Sequence, residues 1–179
     1  MIFTSFAWGP KYLESIERLR SSGHEHGIPM DLHKREGDEP SCPGAAKRLK
    51  PQVILFELLV HESAVWLDAD GVFRGNWDVE LRGDIMASRN RGRWETCTLW
   101  FSRSDRALAV LELWRMLMPA EFTGFDSSAF NDAVYTVKPE IHELPPEYYW
   151  VRDWHYSAYG NRSPIIEYNV PLIKEGCCV

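Results

Sequence analysis

Asp68 and Asp70 are the residues of this chain best placed to do chemistry. They close the run Ala64-Val65-Trp66-Leu67-Asp68-Ala69-Asp70-Gly71-Val72-Phe73, where an apolar stretch ends in two acids separated by one residue. In an extended chain, side chains at i and i+2 point to one face, so the two carboxylates can converge on a single object. Side by side and ionised they repel each other unless a cation lies between them. A site of oxygen donors alone favours a hard ion such as Mg²⁺ or Mn²⁺. A strand followed by an Asp/Gly surface turn accounts for the same residues without any ion.

The elements that must position these acids can be traced outward. Residues 64 to 67 are short and apolar and follow the polar break His61-Glu62-Ser63, so they read as a buried strand with the acids at its carboxyl end. In open α/β sheets that end is where ligands bind. Before it, residues 2 to 7 predict a first strand closed by Trp8-Gly9-Pro10. The spacing of Tyr12, Leu13, Ile16 and Leu19 predicts a helix stopped at Ser21-Ser22-Gly23, and Ile28 to Leu32 a second strand. Lys34 to Gly44 reads as a loop. Lys50-Pro51 opens a helix whose stretch Val53 to Val60 is apolar on nearly every side, which predicts burial.

After the acids, strands are expected over Asp84 to Ser88 and Cys97 to Phe101, joined by a turn at Arg89 to Arg93. Ser104 is expected to cap a helix reaching Met118, with Leu108, Leu111 and Trp114 on its inner stripe. A second helix is expected over Ala129 to Val134, capped by Asp126 or Ser127. A strand at Ile141 to Leu144, an aromatic region from Tyr148 to Tyr159 and a closing strand at residues 164 to 170 complete the pattern. Helix and strand alternate, which implies an α/β sheet covered on both faces.

Composition narrows the classes. The chain has 179 residues, enough for one domain with a substantial core, and a net charge of −6. That balance implies no general attraction to nucleic acid or to an anionic membrane. Arg82, Arg89, Arg91, Arg93, Arg103 and Arg106 crowd one region, which suits either a solvated basic face or a phosphate-bearing ligand. Cys42, Cys97, Cys177 and Cys178 lack the spacing of a zinc site, and the first residues lack the pattern of a signal peptide. No apolar run is long enough to span a bilayer. The expectation is a cytoplasmic protein with reduced cysteines and no membrane span. His24, His26, His33 and His61 read as surface or packing histidines.

The order of these pieces resembles a known family. The strand at Phe3-Thr4-Ser5, the Lys50-Pro51 helix, Val65-Trp66-Leu67-Asp68-Ala69-Asp70, the strands around Ser88-Arg89 and Thr96 to Phe101, the helix carrying Leu111-Glu112-Leu113-Trp114, and Phe125-Asp126 follow one another as in small GT-A-type nucleotide-diphospho-sugar transferases. The resemblance covers most of the chain. It implies a single GT-A-like (Rossmann-like) α/β sandwich over residues 1–179, with a mixed, mostly parallel central sheet. It further implies a glycosyltransferase that moves a sugar from a UDP- or GDP-sugar to an unidentified hydroxyl acceptor with the help of Mn²⁺ or Mg²⁺.

On that resemblance, Asp68 and Asp70 match the Asp-x-Asp acids that hold the metal against the diphosphate, with Ala69 between them in the donor site. Thr4, Ser5 and Phe6 match the nucleotide-facing end of the first strand, and Lys50 the group that reaches the diphosphate. Asp126 is the expected base; as a residue type at a helix start it equally suits an N-cap. Relatives carry a metal-binding histidine near the C-terminus, and here the closing strand has Glu167 instead. Either His155 or Glu167 would complete the metal site, with His155 preferred. The rings of Tyr148, Tyr149, Trp150, Trp154, Tyr156 and Tyr159 suit a stacking platform or a plain core.

Two other functions fit parts of the pattern. Leu67-Asp68-Ala69-Asp70-Gly71-Val72 is also similar to the nucleophile motif of haloacid-dehalogenase-type phosphatases, in which Asp68 would attack phosphorus and Asp70 serve as acid and base. That motif follows the first strand of its domain, whereas a strand, two helices and a loop precede it here. The other is a degenerate module that binds a nucleotide sugar without turning it over.

Overall fold

The computed structural model describes residues 1–37, 45–119, 125–151 and 163–168. In chain order these form β1 (Ile2–Trp8), α1 (Pro10–Glu25), β2 (Met30–Arg35), α2 (Ala45–Val60), β3 (Ser63–Leu67), β4 (Val72–Phe73), β5 (Ile85–Asn90) and β6 (Arg93–Ser102). There follow α3 (Asp105–Met116), α4 (Asp126–Val137), β7 (Ile141–Glu143), a 3₁₀ turn at Pro146–Tyr148, β8 (Trp150–Val151) and β9 (Ile166–Tyr168).

Six strands make the main sheet in the order β2-β1-β3-β6-β5-β7. The pairs β1–β2, β1–β3 and β5–β7 are parallel, while β3–β6 and β5–β6 are antiparallel. The sheet is therefore mixed and mostly parallel, with β3 near its centre. A smaller sheet, β4-β9-β8, lies beside it.

Pleating explains why β3 is apolar without alternation. Ala64 and Trp66 enter one buried cluster with Leu99, Phe101, Trp114 and Phe130, beneath α2, α3 and α4. Val65 and Leu67 enter the other, with Phe3, Leu19, Phe73, Tyr148 and Tyr168, beneath α1 and the small sheet. A strand covered on both faces has no polar side to show.

Several expected boundaries move, each for a packing reason. α1 runs through Ser22 and Gly23, because a side chain at Gly23 would meet Met30 Sδ at 2.6 Å and Phe73 at 3.5 Å. Glycine therefore serves close packing there, and Ser22 Oγ accepts the amide of Phe73 at 3.1 Å. α2 starts at Ala45, so Pro51 lies inside the helix and Lys50 is buried within it. β2 continues to Arg35, into the stretch expected to be a loop.

The β5–β6 hairpin turns on Arg91 and Gly92 alone, both at positive φ, which lengthens both strands beyond expectation. Burial of the α2 run is only partial: Ile54 and Leu58 reach the core, whereas Phe56, Leu59 and Val60 are exposed, since a helix lying on a sheet hides one stripe. Ser104 caps α3 as expected, accepting the amide of Ala107 at 3.1 Å. Tyr148, Tyr149 and Trp150 are buried core residues. Trp154, Tyr156 and Tyr159 lie outside the described residues. No helix among the described residues is long and apolar enough to cross a membrane.

Because Leu67 is fully buried at the carboxyl end of β3, Leu67→Ala is expected to lower the unfolding free energy by about 2–5 kcal/mol, measured by urea denaturation.

Candidate active site

β3 delivers Asp68 to the edge of the sheet, and the chain then turns at once. The Asp68 amide donates to the Cys97 carbonyl at 2.9 Å, and the Gly71 amide donates back to the Asp68 carbonyl at 2.9 Å. Asp68 and Asp70 thus share a cleft through a tight turn rather than through strand pleating. A Cβ at Gly71 would stand 3.0 Å from the Tyr168 ring and 3.2 Å from the Asp68 carbonyl, so a side chain there would press on the ring and the turn. Tyr168 supports it from below: its hydroxyl donates to the Cys97 carbonyl at 2.8 Å and lies 2.6 Å from Thr98 Oγ1.

Lys50 projects from α2 into the same place. Its ammonium donates to Asp68 Oδ1 at 2.8 Å, Asp126 Oδ2 at 2.8 Å and the Thr96 carbonyl at 3.0 Å. An ammonium has three N–H donors, and all three are used. It also lies 5.4 Å from the centre of the Trp66 ring, whose indole N–H donates to Asp68 Oδ1 at 2.8 Å. Asp126 is the first residue of α4, where the helix dipole favours an anion. Its carboxylate takes the Lys50 ammonium and, at 2.9 Å, the Thr96 hydroxyl instead of serving as the N-cap, which is Phe125, while Trp114 Nε1 donates to its carbonyl at 3.1 Å.

The electrostatics follow from this packing. Burial opposes the charge on Lys50, but Asp126 and Asp68 outweigh it and hold the ammonium above its ordinary pKa. Burial likewise pushes the two acids up. For Asp126, the Lys50 charge and the hydrogen bonds from Lys50 and Thr96 prevail, and its carboxyl stays below the ordinary 3.8. For Asp68, burial prevails over Lys50, the charges of Asp126 and Asp70 add to it, and the value rises to about 6. The Cys97 thiol is pushed up to about 12, chiefly by burial and then by Asp68, so it stays protonated and inert at neutral pH.

The cleft is lined by Phe6, Trp8, Tyr12, Ala46, Lys47, Lys50, Trp66, Asp68, Ala69, Asp70 and Asp126. The structure therefore brings together Phe6, Lys50, Asp68, Ala69, Asp70 and Asp126 of the expected residues. Thr4 and Ser5 do not line it; both are fully buried within β1, and neither hydroxyl has a hydrogen-bond partner among the described residues. Glu167, on β9 of the small sheet, does not line it either; its carboxylate pairs with Arg74 Nε at 3.0 Å. His155 lies outside the described residues. None of the six clustered arginines lines the cleft.

Sequence reasoning did not find Trp8, Tyr12, Ala46, Lys47 and Trp66. Spacing held a signal for three of them: Trp8 stands two residues from Phe6 on β1, and Ala46 and Lys47 stand one helical turn before Lys50.

No family model matches the chain, and no curated protein matches it in sequence. Solved structures do match it in fold. One is a glycosyltransferase involved in the glycosylation of the major capsid of PBCV-1, with a TM-score of 0.69 over 94% of this chain and 92% of that one, at 11% identity. The chain has the fold of that glycosyltransferase. At so low an identity the likeness concerns backbone arrangement, and individual site residues rest on the geometry above.

Lys50→Met would leave buried Asp126 and half-buried Asp68 facing each other without a cation, a loss expected at up to about 3 kcal/mol near neutral pH because solvent screens Asp68. Asp126, held below 3.8 in the folded protein, contributes stability above that value and loses it as pH falls. In the variant both acids would instead take up protons more readily. The gap between wild type and Lys50→Met is thus expected to narrow as pH is lowered, read from urea denaturation at a series of pH values.

Proposed function

We propose that the chain is a metal-dependent glycosyltransferase that moves a sugar from a UDP- or GDP-sugar to a hydroxyl acceptor. One observation carries this reading: three acids and one buried lysine converge at the carboxyl end of the central strand of a glycosyltransferase-like sheet. The donor set suits Mn²⁺ or Mg²⁺. Among the described residues both contacts to Asp68 fall on Oδ1, leaving Oδ2 without a hydrogen bond, and the Asp70 carboxylate has no partner. These are hard oxygen donors turned to a cleft, and His155 is the proposed third ligand. Held by these residues, such an ion would supply positive charge to the departing diphosphate.

The chain's own residues divide the remaining work. Lys50 and Trp66 fix the rotamer of Asp68, and the turn closed by Gly71 fixes Asp70 beside it. Asp126 is the proposed base. Its ion pair with Lys50 keeps it ionised at neutral pH, and its Oδ1 carries no hydrogen bond among the described residues. As the acceptor oxygen bonds to the anomeric carbon it becomes acidic. Its proton passes to Asp126 while the electrons of the breaking carbon–oxygen bond leave with the diphosphate. Phe6 is proposed to flank the nucleotide, with Thr4 and Ser5 behind it and the small Ala69 admitting the donor between the acids.

Titration with UDP- and GDP-sugars is expected to show binding that requires Mn²⁺ and weakens about 100-fold or more in Asp70→Ala, since residues that only support ligands are already worth about 10–100-fold. Metal-independent binding unaffected by that substitution would contradict the reading. In Asp126→Asn, donor binding should persist while the rate of sugar transfer or donor hydrolysis falls by about 10²–10⁴, measured by release of nucleoside diphosphate.

A further inference from the structure

A second polar cluster lies farther along α2, seven residues beyond Lys50. Glu57 is 1% exposed, yet no lysine or arginine pairs with it among the described residues. Its carboxylate stands between two imidazoles. His33 Nε2 is 2.7 Å from Oε1, and His61 Nε2 is 3.7 Å from Oε2. Asp31 completes the group, and the donor atoms of Asp31, His33 and Glu57 all lie within 4.8 Å of one another.

Two simple spacings build this cluster. Asp31 and His33 are i and i+2 on β2, the edge strand of the main sheet, and so share the face turned to α2. Glu57 and His61 are i and i+4, one turn apart at the end of α2. Strand and helix thus each contribute a carboxylate and an imidazole to the same place.

We infer that Asp31, His33 and Glu57 form a binding site for a divalent transition metal, zinc in the first place, which ties the edge strand β2 to α2. Three protein ligands drawn from histidine and carboxylate, with an open fourth position, are a regular donor set for zinc. An imidazole in the set disfavours magnesium and calcium, which take oxygen. Ligands at about 2.1 Å from a tetrahedral ion stand about 3.4 Å apart. Closing the group onto a metal therefore requires exposed Asp31 to approach by up to about 1.4 Å and the 2.7 Å His33–Glu57 contact to open by several tenths of an ångström. For Nε2 of His33 to ligate, its ring proton resides on Nδ1. His61 Nε2, 3.7 Å from the second oxygen of Glu57, lies beyond hydrogen-bond distance and is not part of the proposed donor set. The site uses none of the residues of the Asp68–Asp70 cleft, and its metal preference differs from the all-oxygen pair there.

The test is calorimetric titration of the EDTA-treated full chain with Zn²⁺, with Co²⁺ absorption as a probe of the ligand set and circular dichroism as a check of folding. One equivalent of Zn²⁺ should bind, raise the Tm, and remain bound in Asp68→Asn/Asp70→Asn. His33→Ala should weaken it by about 100-fold or more, since even residues that only support ligands are worth about 10–100-fold. Exposed Asp31→Asn, which leaves the core untouched, should weaken it by about tenfold or more and change the Co²⁺ spectrum. Zn²⁺ binding unchanged in folded His33→Ala and Asp31→Asn, binding lost in the Asp68/Asp70 variant instead, or no saturable binding would each overturn the inference.

Discussion

The arrangement of the cleft depends on one buried ammonium. Lys50 sits where α2, the end of β3, β6 and the start of α4 meet, and its three hydrogen bonds reach one group from each of the latter three. A lysine this buried is costly to desolvate and survives as a cation only when fully paired. The pairing works in both directions: Asp68 and Asp126 keep Lys50 charged, and Lys50 keeps two carboxylates from driving each other apart. Without it, α4 would have no electrostatic reason to present Asp126 to the same cleft as Asp68.

Around this centre the packing is built to prevent movement. β3 is clamped between two apolar clusters, so the positions of Trp66 and Leu67 are set before the chain reaches Asp68. The turn that follows is closed by a hydrogen bond to Asp68 and supported by the buried Tyr168, whose hydroxyl reaches the Cys97 carbonyl to which Asp68 itself is bonded. Burial, and then the nearby Cys97 and Asp68, hold that phenol well above its ordinary pKa, so it remains a hydrogen-bond donor. The Asp70 carboxylate, by contrast, lines the cleft without a partner among the described residues, which is what the proposed cation would use.

Much of this was legible in the residues. An apolar run ending in two acids marks the central strand and the end at which the cleft opens, and the family resemblance singles out Lys50 and Asp126. What could not be read was that the last two touch: they lie far apart in the chain, so their contact leaves no local pattern. Asp126 looked like a cap because helix starts attract acids for local reasons, whereas here a distant lysine claims the side chain. Pro51 and Gly23 looked like boundaries because their backbone preferences are local too; tertiary packing overrode both. His33 and His61 carried no signal alone, since a strand pair and a helix pair become one cluster only when the strand and helix are laid together.

The most direct test of the account is the anomalous scattering of a crystal soaked with Mn²⁺ and UDP. A manganese peak within ligand distance of both Asp68 and Asp70, with the diphosphate on its open side and Lys50 still bridging Asp68 to Asp126, is the predicted result. A diphosphate bound elsewhere, or manganese that avoids both acids, would contradict it.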